Sequence, residues 1–476
     1  MIFRSAWAVA LVLIPSVTLA GPVTFIERAP ADPAAISVAV DQAQLQDTLP
    51  FADLTDLIEA GRLLFAARFT GADGAGRPRA TQAIIPTHFK HAREMTFQRA
   101  SGPDANSCTS CHLDPIAGGA GDFTTNVFTS EGTESADFDT VDAQFSNERG
   151  TNHLFGSGLV ELLAREMTVD LQTLRDDAVR AARQTSEPVT VTLESKGINF
   201  GTLTAAPDGL LDLSGIAGVD IDLKVRPFSQ KGVFPSLRMF TINALNAHHG
   251  MGADERFGAA MTGEADFDGD GFADEFSPGL VSALVAYQAS LEPPLQTPFE
   301  NAEWQAAAEA GETVFTATGC AACHVPSLPL SSLSFADPGP LDTAGTLSAA
   351  DVAMPAIYDL GQLEWAKSLP RNADGDVMVP LFGDLKRHVI ADNQNPHFAN
   401  ELMGQSFVAR DAFMTSELWG VADTAPFGHR GDLMTLDEVI LAHGGEAVDA
   451  RDIYAALPRQ DRDNLITFLK TLRMPQ

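Results

Sequence analysis

The four cysteines of this 476-residue chain all fall in two Cys-x-x-Cys-His units, Cys108-Thr109-Ser110-Cys111-His112 and Cys320-Ala321-Ala322-Cys323-His324. Two residues between thiols on a tight turn let both sulfurs add to the vinyl groups of one porphyrin, and the next residue aims an imidazole at the iron. The chain has only 11 histidines, so a His after both pairs favours haem c attachment. The rival readings are a zinc ion shared by four thiolates and a pair of redox-active disulfides. Neither needs a His at the same place twice. The expectation is two covalently bound haem c groups, with His112 and His324 each giving one axial bond. Pro115 and Pro326 follow at a distance where a backbone carbonyl could accept the His Nδ1–H and fix the iron-binding tautomer. Gly118-Gly119-Ala120-Gly121 lets the backbone lie close to the first porphyrin; it follows no evident strand and is not a phosphate loop.

The group opposite each His sets the chemistry, since a filled face conducts electrons and a vacant one binds a small oxidant. For the second haem the candidate is His443, ending a short helix that Thr435 and Glu438 open with a capping-box pattern and Gly444 or Gly445 can close. For the first, a helix from Ser236 ends at His248-His249-Gly250. His248 falls on the Leu237 face and His249 flanks it, so one of the two ligates or overhangs the first iron. Beside an open iron, a His could shuttle a proton between the two oxygens of peroxide. His153 is the second choice there, in a segment, Thr151 to Gly156, that is similar to the one around Trp419. His88, His91, His388 and His397 lie in polar surroundings that suggest surface. Met167, Met251, Met414 and Met434 read as core. Asp266-x-Asp268-x-Asp270-Gly271-x-x-Asp274 has the oxygen spacing of a calcium loop, with Ser277 where the twelfth position wants an acid.

These residues need two sets of flanking helices, and the sequence repeats accordingly. Glu59-Ala60-Gly61-x-x-x-Phe65 recurs as Glu309-Ala310-Gly311-x-x-x-Phe315, and Leu284–Leu291 is echoed by Leu465–Leu472, both with helical apolar spacing. The fold expected is mainly α: two cytochrome-c-like haem domains, 21–292 and 299–476, with long loops and a Pro-rich linker, Pro293-Pro294 to Pro298. A small β insertion is expected in the first domain between Pro188 and Val225, where Val189–Leu193 and Val219–Leu223 alternate like strands. Glu131 to Asp142 reads as a solvated acidic loop.

Met1–Ala20 carries Arg4, an apolar run from Ala6 to Ile14 and small residues before Gly21. It reads as a cleaved signal peptide (1–20) directing export to the periplasm, with no membrane span afterwards. Hydrophobic residues at 45% and charged residues at 20% are ordinary for a globular chain. With 31 basic against 63 acidic residues the net charge is −32, which excludes nucleic acid as a partner and would steer a basic or weakly charged small redox protein.

Both Cys-x-x-Cys-His motifs, Leu418-Trp419-Gly420, Ala425-Pro426-Phe427-Gly428-His429-Arg430-Gly431 and His443-Gly444-Gly445-Glu446 together make the chain resemble the bacterial di-haem cytochrome c peroxidases and MauG-type enzymes. It is most similar to their di-haem oxidoreductase branch. The resemblance implies a turn histidine, His429, near the C-terminal haem, and a distal ligand 14 residues later, at His443, where relatives have Met or Tyr. A His there implies a low-potential, bis-His electron-transfer haem. It also sets His248-His249-Gly250-Met251 where the family carries a catalytic Glu, and Phe228-Ser229 where peroxidases have a Trp between the haems; Trp365 and Trp419 could serve instead. The function expected is reduction of H2O2 at the His112 haem by electrons passed from the His324 haem. The alternatives are a non-catalytic di-haem electron carrier and a MauG-like or thiol-oxidising enzyme acting on another protein.

Overall fold

The computed structural model describes residues 21–45, 51–76, 105–128, 146–266, 271–343, 345–392, 397–401 and 404–475. The signal segment 1–20, His88, His91, the 131–142 acidic run, Asp268 and Asp270 lie outside them.

The recurring Glu-Ala-Gly-x-x-x-Phe motif marks where two helix pairs cross. The Phe51–Ala66 helix packs on Pro278–Ser290, and Ala302–Ala317 packs on Arg459–Leu469. At each crossing the motif's glycine meets backbone: a Cβ on Gly61 would lie 2.0 Å from the Ala283 carbonyl oxygen, and one on Gly311 2.0 Å from that of Asn464. One turn on, the motif's phenylalanine is buried beside the haem-binding turn. Phe65 sits 6.1 Å from the His112 ring and 5.2 Å from Tyr287, and Phe315 sits 5.4 Å from Phe468. Gly311→Val should therefore push its helix pair apart and cost about 1–3 kcal/mol or more from overpacking, read as a lower denaturation midpoint. A midpoint equal to wild type would show that the close crossing is not needed.

Two apolar cores result. The larger gathers Leu57, Leu64, Leu163, Met167, Leu284 and Val285 together with Leu328, Phe335, Tyr358, Val379, Leu381 and Trp419 from the second half of the chain. The smaller is built from Phe315, Phe382, Phe398, Phe427, Leu436, Tyr454 and Phe468. The longest described helix, Ser157–Thr185, starts at Gly156, which has φ 79° and stands so close to Trp419 that a Cβ would lie 2.5 Å from its ring. Its buried stripe, Leu159, Leu163, Met167 and Leu171, recurs every fourth residue, as a helix face in a core requires.

Strands are short. Among the described residues all sheets have two strands except one, the three-stranded antiparallel Val189–Ser195, Ile198–Ala205 and Leu211–Asp212. This is the β insertion, with a correction. The partner of Val189–Ser195 is Ile198–Ala205, because Lys196-Gly197 (φ 50° and 81°) makes the tight two-residue turn that matches strand twist. Val219–Leu223 is instead a loop, bent at Leu223 (φ 59°) and clamped by Arg226, which pairs with both Asp220 and Asp222.

A buried ionic cluster fixes the helix that leads to His248. Arg238 donates to Glu255 (2.9 and 2.5 Å), Asp337 (2.8 Å), Ser282 (2.9 Å) and the Pro278 carbonyl (3.1 Å) while only 1% exposed. Tyr358 donates to the other Asp337 oxygen at 2.7 Å. Ser236 caps the helix by accepting from Met239 N–H and donates to Asp342, and Glu161 accepts from Leu237 N–H at 2.8 Å.

Candidate haem sites

Both Cys-x-x-Cys-His units fold as one 3-10 turn, with the His N–H donating to the first Cys carbonyl at 3.0 Å. All four cysteines are unbonded. Nor do the four thiols converge as a shared zinc site needs: among the described residues the single close group of ligand atoms is Cys323, Asp384 and His388.

The carbonyls that hold the two imidazoles lie farther along the chain than Pro115 and Pro326. His112 Nδ1–H points to Gly119 O at 3.3 Å, and His324 Nδ1–H to Phe382 O at 3.2 Å. The glycines explain the first, because the chain folds back so tightly that a Cβ on Gly119 or Gly121 would lie 2.0 Å from the carbonyl of Asp114 or Cys111. Pairing explains the second: Phe382 and Gly383 donate to the carbonyls of Pro326 and Val325, setting this segment beside the motif. Burial pulls His112 and His324 down to about 4, so at neutral pH each is a neutral ring whose Nε2 lone pair can take iron.

His112, Cys108 and Cys111 open onto a cavity of about 240 Å³, walled by aromatic and aliphatic groups such as Phe65, Phe228, Phe240 and Leu284. Three polar atoms of its lining, His153 Nδ1, Ser229 Oγ and Gln230 Oε1, are buried with no hydrogen-bond partner among the described residues. Ser229 also holds a left-handed backbone, φ 69°, the kind of strain that gathers at functional sites. Two thiols and one imidazole at the rim could hold a haem against the apolar walls, and the orphaned polar atoms could bind a small polar molecule.

The histidines expected on the other side come apart. The helix Leu237–Ala244 runs into a π turn, Leu245–His249, closed by Gly250 at φ 64°. The extra residue in that turn shifts the helical phase. His249 is 3% exposed, its Nδ1 2.6 Å from Ala105 O and its Nε2 3.6 Å from Cys108 Sγ. His248 lines the cavity near enough to His112 to disfavour its protonation. His153 lines it too, its Nε2–H donating to Trp419 O at 3.1 Å.

At the second site His443 closes the helix Leu436–Ala442, which has the full Thr435/Glu438 capping box. Its Nδ1–H donates to Val439 O at 2.7 Å, and Phe398 stands edge-on to the ring at 5.6 Å. His324 and His443 are close enough for their charges to interact, and burial holds His443 below the usual range as well. Two neutral imidazoles, each tied by Nδ1 to a carbonyl, in the aromatic surroundings of the smaller core are groups that could hold a haem iron. His429 lies apart from this pair, with Phe398 between it and His443. It donates to Asn400 at 2.9 Å, and burial, with Arg149 and Lys231 nearby, pulls it down to about 2.

His388 is buried rather than on the surface. Asp384 (2.8 Å) and Glu446 (2.9 Å) hold its two nitrogens, leaving no lone pair for a metal. Burial opposes its charge, but the bonds to Asp384, Cys323 and Glu446 prevail and push it up to about 10. A raised folded pKa means its stabilisation is complete below pH ~6.5 and lost as pH climbs through ~10. In an alkaline titration of stability, His388→Gln should flatten that loss; an unchanged slope would assign it elsewhere. His397, by contrast, is exposed on Asp432, and Met434 is exposed, whereas Met167, Met251 and Met414 are core. For the calcium loop, Gly271 N–H donates to Asp266 at 3.1 Å, and burial, with Asp274 adding repulsion, lifts Asp254 to about 6.

The geometry gives two candidate sites, one with an imidazole beside a cavity and a second with a pair of imidazoles in the smaller core. Residues 384–472, which hold Trp419, His429 and His443, match the family described as di-haem oxidoreductase, putative peroxidase. The match covers the C-terminal part of the chain, the part that carries the second set of motifs. No curated protein matches the sequence. Among solved structures, hydrazine synthase of Kuenenia stuttgartiensis is similar at 13% identity, over 98% of this chain and 100% of that one, with a TM-score of 0.35. A MauG-like protein associated with microbial copper homeostasis is similar at 18% identity, over 56% of this chain and 77% of that one, with a TM-score of 0.25.

Two residues escaped the sequence reading. Phe398 had no motif to mark it. Glu417 lines the first cavity, and it was discoverable as the residue that takes the place of His153 when Thr151–Gly156 is laid on Thr415–Gly420.

Proposed function

We propose that this chain is an exported, periplasmic di-haem c-type oxidoreductase that reduces H2O2. Electrons from a small redox protein enter at the site of Cys320, Cys323, His324 and His443 and pass to the site of Cys108, Cys111 and His112. The observation that carries this reading is the cavity beside His112, with Ser229 Oγ and Gln230 Oε1 buried in its lining without a hydrogen-bond partner among the described residues. When bound, the haems supply a one-electron carrier at the second site and a peroxide-binding iron at the first.

The protein's own groups do the rest. Phe65, Phe228 and Phe240 exclude water, Ser229 and Gln230 offer hydrogen bonds to a polar guest, and His248 faces the cavity as an acid–base group. Trp419 lines the first cavity while its neighbour Leu418 packs on the smaller core, giving a short path between the sites. Among the described residues no helix is long and apolar enough to cross a membrane. A calcium ion at Asp266, Asp268, Asp270 and Asp274 would relieve the repulsion between Asp274 and Asp254.

The test is peroxide consumption by the haem-loaded protein with a reduced basic cytochrome as donor. Turnover that falls as salt rises supports the reading; no consumption with any one-electron donor overturns it. The proximity of His248 to His112 favours one alternative, a di-haem electron carrier in which His248 fills the first site. Low-spin, peroxide-inert haems would select it.

A further inference from the structure

The segments Thr151–Gly156 and Thr415–Gly420 run side by side at the first cavity, joined by the His153 bond to the Trp419 carbonyl (3.1 Å). Glu417 stands on the second of them. It is half-buried and lines the cavity, and the one hydrogen bond its carboxyl accepts among the described residues is from its own backbone N–H. On its other side its Cα and Cγ pack on Gly383, each 3.8 Å from where a Cβ would stand. Gly383 follows Phe382, whose carbonyl holds His324. Glu417 therefore lines the first cavity while its Cα and Cγ pack on the loop whose carbonyl holds His324.

We propose that Glu417 is a second proton-transfer group of the first cavity, besides His248, delivering a proton to peroxide as electrons arrive from the second site. The inference rests on the peroxidase reading above. Reducing one H2O2 to two H2O breaks the O–O bond and consumes two electrons, both from the donor protein, and two protons. Glu417 gives one proton to the departing oxygen and regains it from solvent; the second proton comes from solvent to the oxygen left behind. Burial lifts this carboxyl to about 7, with repulsion from Asp384 adding to the effect, so both its forms are populated near neutrality. The other titratable and charged groups facing the cavity are Arg149, Cys108, Cys111, His112, His153, His248 and His249.

The test compares haem-loaded wild type, Glu417→Gln and Glu417→Asp in H2O2 turnover across pH, in optical spectra, and in infrared difference spectra of carboxyl protonation. Turnover in Glu417→Gln is expected to fall by about 10²–10⁴-fold, with partial rescue by Asp and unchanged haem spectra. A carboxylic-acid band that titrates near neutrality should vanish in Glu417→Gln. If wild type consumes peroxide and Glu417→Gln does so equally, with the same pH profile, the proposal is wrong and the peroxidase reading stands. If wild type consumes none, the peroxidase reading fails, while the infrared band still reports whether Glu417 exchanges a proton near neutral pH; its absence in wild type overturns the assignment on its own.

Discussion

Replacing His443 with Ala should remove most of the peroxide turnover while leaving the protein folded. His443 ends its helix and bonds back to Val439, so truncating it disturbs neither the Thr435/Glu438 cap nor the apolar contacts of Leu436 and Ala442. What it removes is the second of two neutral imidazoles at one site. Axial ligands set haem potentials over a span of roughly 0.8 V, and a rise of even ~120 mV is about a hundredfold in a one-electron equilibrium. The second site would hold its electron instead of passing it on. The variant should show a new high-spin ferric signal and a raised potential for one haem only. If both haems keep wild-type spectra and potentials, His443 is not a ligand.

Arg238→Met should be the most destabilising single change away from the haems, by about 3–5 kcal/mol. Its guanidinium is the cation of a cluster in which Asp337 and Glu255 are 1% and 2% exposed by side chain, and Met fills the space without balancing those charges. The cluster also fixes the start of the helix that ends at His248, so the spectrum of the first haem should change along with the denaturation midpoint. Adding Asp337→Asn should recover part of the loss. A midpoint unchanged in Arg238→Met would mean that the acids are neutral in the folded protein.

Much of this organisation is written locally in the chain. The Cys-x-x-Cys-His turns, the Thr435 capping box and the glycine-phenylalanine motif of the crossing helices each depend on a few adjacent residues, and each forms as spacing dictates. What the sequence hides is long-range. The Phe382 carbonyl reaches His324 only because that segment pairs back on Val325 and Pro326. His388 reads as polar surface until Asp384 and Glu446 enclose it. The π turn at Leu245–His249 breaks the simple helical count that put His248 on the Leu237 face, and Glu417 becomes notable only once a cavity forms beside it.

The central claim is that one haem site is filled on both faces and the other can open to peroxide. Optical and EPR spectra of the fully ferric and half-reduced protein, with and without H2O2, test it most directly. The account predicts one low-spin haem that ignores peroxide and one whose high-spin signal, in at least one of the two states, is perturbed by it. Two low-spin haems in both states, unaffected by peroxide, would contradict the account and leave an electron-transfer cytochrome.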